Sequence, residues 1–131
     1  MTVRRIVPDV HVASEEAMHA NRDFYGLLGL EEVMNLGWAM TLASPANPTA
    51  QIGFFTEERT GPLVPDLSVE VQDVDAVYER VRASGAEIVR EPRDEEWGVR
   101  RFFVRDPNGR VVNILTHRSA GTPEQRGGGT G

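Results

Sequence analysis

The residues best able to do chemistry sit at alternate positions of two short runs. Asp9 and His11 share one side of the run Arg5–Val12, and Asp66, Ser68 and Glu70 share one side of Asp66–Val71. Asn113 lies in a third run near the C-terminus. Alternation at a period of two places each set on one face of a strand, opposite the apolar residues. Carboxylates, a hydroxyl, an amide and an imidazole on one face can orient a small ligand by hydrogen bonding; the alternative is that this face is simply wet. An imidazole at His11 suits a general base. Asp9, two residues away, is too local to orient it, and no Ser-His-Asp order is readable, so no catalytic residue is assigned. There are no cysteines, which excludes thiolate catalysis, disulfides, Fe–S clusters and cysteine zinc sites. No phosphate-cradling glycine pattern occurs.

Aromatic side chains supply the second kind of recognition. Trp97 lies in the polar stretch Glu95-Glu96-Trp97-Gly98, which places it at a rim rather than in a core. Trp38 and Met40 alternate on one run, and Phe54 and Phe55 are adjacent on another, so the two phenylalanines face opposite ways. Trp38 and Met40, with Phe54 or Phe55, can wall a site for a planar ligand or can be ordinary core or dimer interface. Arginines 90, 93, 100, 101 and 105 are interleaved with acids and read as a solvated ion-pair mesh. Arg100 alone is assigned to the mouth of the site, against an anionic or carbonyl group.

The elements that position these residues follow from periodicity and punctuation. Ser14 before Glu15 and Glu16 starts a helix with Ala17, Phe24, Tyr25 and Leu28 on one face, stopped by Gly29. Strands are predicted at 31–35, 38–43 and 50–56. A strand at 66–71 begins the same order again. Asp73 caps a second helix whose Val74, Val77, Tyr78 and Val81 fall at i, i+3, i+4 and i+7, and Gly85 ends it. Strands at 86–90, 101–105 and 110–116 complete it, with a turn at Asp106-Pro107-Asn108-Gly109. Pro8 in the first strand suggests an edge or a bulge. The chain thus holds two copies of strand, helix, three strands. Neither copy is large enough to bury its own sheet face, so they must pack together. The expected organisation is one module over residues 1–62, a second over 63–118 and a Gly-rich disordered tail over 119–131.

Composition bounds the partners. Hydrophobic residues make up 40% and charged residues 26% of the 131, an ordinary globular mix. Acids outnumber bases 20 to 14, for a net charge of −6, which disfavours nucleic acid. The longest uncharged stretch, 33–56, is broken by Asn35, Pro45, Asn47, Pro48 and Gln51 and cannot span a membrane. A cytoplasmic protein is expected.

Four segments carry a family resemblance: Asp23-Phe24-Tyr25-Gly26-Leu27-Leu28-Gly29-Leu30, Val71-Gln72-Asp73-Val74-Asp75-Ala76, Ala83-Ser84-Gly85-Ala86-Glu87 and Asp106-Pro107-Asn108-Gly109-Arg110-Val111-Val112-Asn113. In this order and spacing they resemble the vicinal oxygen chelate superfamily, which includes glyoxalase I, extradiol dioxygenases, and fosfomycin- and bleomycin-resistance proteins. The resemblance covers residues 3–117. It implies an α+β fold in which two βαβββ modules form a curved, open mixed sheet around a cavity, usually in a homodimer. It also places a divalent metal on four strands, at positions that here read Val7, Gly53, Asp66 and Asn113. Valine and glycine cannot ligate, and Asp66 and Asn113 alone are too few donors. No metal and no cofactor are therefore expected, and the metal-assisted chemistry of the superfamily is not. The segment Trp97-Gly98-Val99-Arg100 is similar to the branch that binds bleomycin and mitomycin. The resemblance then implies a metal-free protein that sequesters a planar, conjugated antibiotic and confers resistance by binding, through Trp97, Trp38, Arg100, His11, Asp9, Asp66, Ser68, Asn113, Met40 and Phe55. The alternative is a glyoxalase- or dioxygenase-type enzyme with a rearranged metal site using Asp66 and His11.

Overall fold

A computed structural model describes residues 2–118 of the chain. β1 (Val3–His11) leads into α1 (Glu15–Gly26), followed by β2 (Glu31–Asn35), β3 (Ala39–Ala43) and β4 (Gln51–Phe55). The order then repeats as β5 (Leu67–Val71), α2 (Val74–Ala83), β6 (Ile88–Asp94), β7 (Val99–Arg105) and β8 (Val111–His117). Both helices start for the same local reason. Ser14 Oγ accepts the Ala17 N–H and Asp73 Oδ1 the Ala76 N–H, each at 3.1 Å, with acids in the first turn. The tail predicted at 119–131 lies outside the described residues.

All eight strands form one sheet in the order β2-β3-β4-β1-β5-β8-β7-β6. β1 runs parallel to β4 and β5 parallel to β8, while β1 and β5 pair antiparallel at the centre. The two repeats therefore join edge to edge within one chain, and the fold is α+β with a curved, open mixed sheet. Both helices lie on one face. Met18, Met40, Leu42 and Phe54 pack beneath α1; Val71, Val74, Phe102, Val104 and Ile114 pack with α2. The opposite, concave face carries the candidate site.

Several expectations about packing are corrected. Ile6 and Val10, on the apolar side of β1 where helix cover is expected, are 54% and 37% exposed. Their strand runs in the strip between the helices, since α1 lies over β2 and β3 and α2 over β6 to β8. Phe24 and Leu28 are likewise exposed, and α1 buries Met18 with Ala17 and Tyr25 packed beside it. Pro8 sits in a central strand, not an edge. Its missing N–H is tolerated because the ladder to β4 begins only at Asp9. β6 and β7 are longer than predicted because the hairpin between them closes tightly: Glu95 N–H donates to Val99 O at 2.7 Å and Gly98 N–H to Glu95 O at 3.1 Å. No helix among the described residues is long and apolar enough to cross a membrane.

Candidate functional site

Strand alternation puts Arg5, Val7 and Asp9 of β1, Ser68 and Glu70 of β5, and Asn113 of β8 on the concave face. Backbone register then sets them side by side. Val7 pairs with Ser68 and Ser68 with Asn113; Asp9 pairs with Gly53, and Gly53 with Thr41. At the centre a chain of hydrogen bonds crosses three strands. Asn113 Nδ2 donates to Ser68 Oγ at 3.0 Å, and Ser68 Oγ donates to Asp9 Oδ2 at 2.6 Å. All three residues are buried. Burial raises the Asp9 carboxyl to about 7, against the opposing Ser68 hydrogen bond and the charges of Arg5 and Arg101. A carboxyl held near neutrality in a groove can give or take a proton, or donate a hydrogen bond as the acid.

A second network fills the side nearer β6 and β7. Arg101 is fully buried; its Nη2 meets Glu58 Oε2 at 2.7 Å and its Nε meets Glu95 Oε2 at 2.8 Å. Glu95 also binds Arg90. Burial pushes the Glu95 carboxyl up, but Arg101 and Arg90 outweigh it and hold the group below the usual range. The Arg101 guanidinium lies 5.0 Å from the Trp97 ring and 4.9 Å from Phe103. Trp97 in turn meets Trp38 edge to face at 5.5 Å, and Trp38 lies 6.0 Å from Phe55, with Val64 packed against this cluster. Glu58 and Val64 belong to the connection 56–66, so that segment reaches the concave face. A third group joins Arg5 to Glu70 and Gln51, with His117 Nδ1 at 2.9 Å from Glu70 Oε2. Burial raises the Glu70 carboxyl, but His117 and Arg5 outweigh it and lower it overall.

The fold brings some of the residues singled out from sequence together and separates others. Asp9, Ser68 and Asn113 come together on the floor, and Trp97, Trp38 and Phe55 come together in the aromatic cluster. Met40 does not join them. It packs beneath α1, because Trp38 lies in the bend before β3, where alternation with Met40 fails. Arg100 faces the helix side, its Nε 3.1 Å from Asp75 Oδ1 and its Nη1 3.3 Å from Asp94 Oδ1; parity points Arg101 into the groove instead. His11 is exposed, its Nε2 3.2 Å from Thr56 O. Asp66 is also exposed. It precedes β5, and its Oδ2 accepts the Val111 N–H at 3.0 Å, fixing the start of β8. Arg101, Thr41 and Arg5 were missed, although alternation with Phe102, with Met40 and Leu42, and with Ile6 marks all three as concave. Glu58 has no periodic signal, since it lies in a connection.

The four positions for a metal do not fit one. Val7 and Gly53 offer no donor, Asp66 is engaged with backbone, and Asn113 is braced against Ser68. Among the described residues no three His, Cys, Asp or Glu side chains group to hold an ion.

A family model described as Glyoxalase/Bleomycin resistance protein/Dioxygenase superfamily matches residues 13–114. No curated protein matches the sequence. Among solved structures, a hypothetical protein from Bacillus halodurans C-125 aligns with TM-score 0.67 at 13% identity, covering 93% of this chain and 99% of that one. A superfamily member from Vibrio splendidus 12B01 aligns with TM-score 0.61 at 18% identity, covering 88% and 99%. The Mn(II)-bound glyoxalase from Novosphingobium aromaticivorans aligns with TM-score 0.58 at 19% identity, covering 87% of this chain and 38% of that longer one. At these identities the likeness is one of fold.

Proposed function

Since the chain belongs to the Glyoxalase/Bleomycin resistance protein/Dioxygenase superfamily, we propose that it binds a small, planar, conjugated molecule in its concave groove without metal chemistry. The observation that carries this reading is the donor set: Val7 and Gly53 stand at two of four ligand positions, and Asp66 is committed to Val111. A Lewis acid needs at least three converging donors to hold its place against water. Such a floor can still grip a ligand. The aromatic cluster supports stacking, with Trp97 half-buried on its hairpin turn and Trp38 buried behind it. Planar antibiotics are the ligand class favoured. Binding in excess then protects by mass action, and no turnover is needed. Exposed Ile6 and Val10 on β1, with Phe24, Leu27 and Leu28 at the end of α1, support the expected homodimer.

The test is quenching of tryptophan fluorescence by a panel of planar antibiotics. At least one quenches, and Trp97→Ala weakens that binding about tenfold, the loss of one stacking contact. Ni²⁺, Mn²⁺, Fe²⁺ and Zn²⁺ leave the melting temperature unchanged. A protein that purifies with a stoichiometric divalent ion, or that is stabilised by one, overturns the metal-free reading.

A further inference from the structure

Residues 57–65, between β4 and β5, lie against one half of the concave face. The floor there is closed to solvent: Trp38, Phe55, Arg101 and Phe103 are all buried. Both ends of the segment are pinned into the sheet, by Thr56 N–H donating to Trp38 O at 3.0 Å and Asp66 N–H to Val111 O at 2.8 Å. Between these ends no backbone–backbone hydrogen bond joins the segment to a strand among the described residues; Gly61 N–H to Glu58 O, at 3.4 Å, stays within it. Side chains hold it down instead. Glu58 Oε2 accepts from Arg101 Nη2, from the Thr60 N–H at 3.1 Å and from the Thr60 hydroxyl at 2.6 Å. Arg93 Nη2 donates to Thr60 O at 3.3 Å, and Val64 packs on the aromatic cluster. This latch is incomplete. Glu58 Oε1 is buried with no hydrogen-bond partner among the described residues, which weakens the closed arrangement.

We propose that residues 57–65 are a strap that lifts when the groove is filled, and that a carboxylate of the bound molecule takes the place of Glu58 on Arg101. The inference rests on the groove-binding reading and names the charge it selects. A planar molecule reaches a floor closed to solvent only if the strap moves, and the pinned residues 56 and 66 are its hinges. Charge then decides what is held. With the strap down, Arg90 and Arg101 are matched by Glu58 and Glu95. Lifting the strap carries Glu58 into water and leaves one positive charge in excess. Arg93, half-exposed and 3.6 Å from Glu95, adds to it at the rim. A buried cation short of a partner is costly. A ligand carboxylate accepts from Arg101 Nη2 where Glu58 did. An uncharged ligand leaves the excess standing, and a cationic one adds to it. Glu58 is thus a built-in competitor, and the ligand that displaces it best is one with the same charged group.

Two probes of equal ring size test this: 1-naphthoate, ionised at neutral pH, and its uncharged isostere 1-naphthamide, each titrated by tryptophan fluorescence. The naphthoate is expected to bind about tenfold tighter, the effect of a charge-assisted hydrogen bond. Glu58→Gln removes the competing charge and tightens naphthoate binding by a further factor of about ten, because the open strap is then more populated before binding. In the wild type, saturating naphthoate speeds amide hydrogen exchange at Thr60 and Gly61; this readout needs no substitution and separates displacement of the strap from binding elsewhere. Equal binding of the two probes overturns the displacement and leaves the groove-binding reading standing. So does tighter naphthoate binding that slows exchange over 57–65 or leaves it unchanged, and so does an affinity for naphthoate that a folded Glu58→Gln variant does not raise. If neither probe binds the wild type or Glu58→Gln, the groove-binding reading fails and this inference falls with it.

Discussion

Replacing Asp9 by asparagine is expected to flatten part of the pH dependence of stability. The folded carboxyl titrates at about 7 against an ordinary value of 3.8, chiefly because it is desolvated. A group raised on folding favours the native state only while it is protonated. Its contribution is complete below the unfolded value and is lost as pH rises through the folded one. Three units at about 1.4 kcal/mol each set the whole span at about 4 kcal/mol. Part of that is already lost at mildly acid pH, so between about pH 5 and about pH 8 the wild type should weaken relative to Asp9→Asn by about 2–3 kcal/mol. Asparagine is isosteric and keeps an acceptor for Ser68, so packing is held constant. Urea unfolding of both proteins across this range gives the difference, in which the titration of all other groups cancels. A wild-type-minus-variant difference that stays flat, or a carboxyl resonance of Asp9 that titrates near 4, refutes the argument. Either result would mean that water or Arg5 and Arg101 solvate the group far better than its burial implies.

Three further outcomes follow from the same geometry. Arg101→Ala should destabilise the fold by about 3–5 kcal/mol, because Glu58 and Glu95 lose the buried cation they share; denaturant unfolding reads this, and a loss under about 1 kcal/mol would place the cluster in solvent. Gly98 holds φ +91, so Gly98→Ala should cost about 1–2 kcal/mol and shift the tryptophan emission, since it strains the turn that presents Trp97. Ser14→Ala should cost about 1 kcal/mol through loss of the bond to Ala17 N–H, with an unchanged near-ultraviolet spectrum if α1 stays docked.

The sequence alone determined the order of elements and the residue types at the family's ligand positions. Capping residues, helical spacing and turn glycines are local signals, and the side chains of Val7 and Gly53 carry no donor atom in any conformation. It also placed Asp9, Ser68 and Asn113 on a common face, because alternation is a property of the strand itself. Tertiary structure decided what those residues touch. Register made Asp9, Ser68 and Asn113 one chain and set Thr41 across Gly53 from Asp9, and no local pattern encodes the pairing of distant strands. The bend before β3 put Trp38 and Met40 on opposite faces, where simple alternation had joined them. Glu58 reaches Arg101 only because a connection folds over the groove, and a buried charge in a loop becomes legible once its partner is seen. The strip between the helices left Ile6 and Val10 exposed for the same reason: burial depends on which neighbour arrives, and hydrophobicity only states what would be gained if one does.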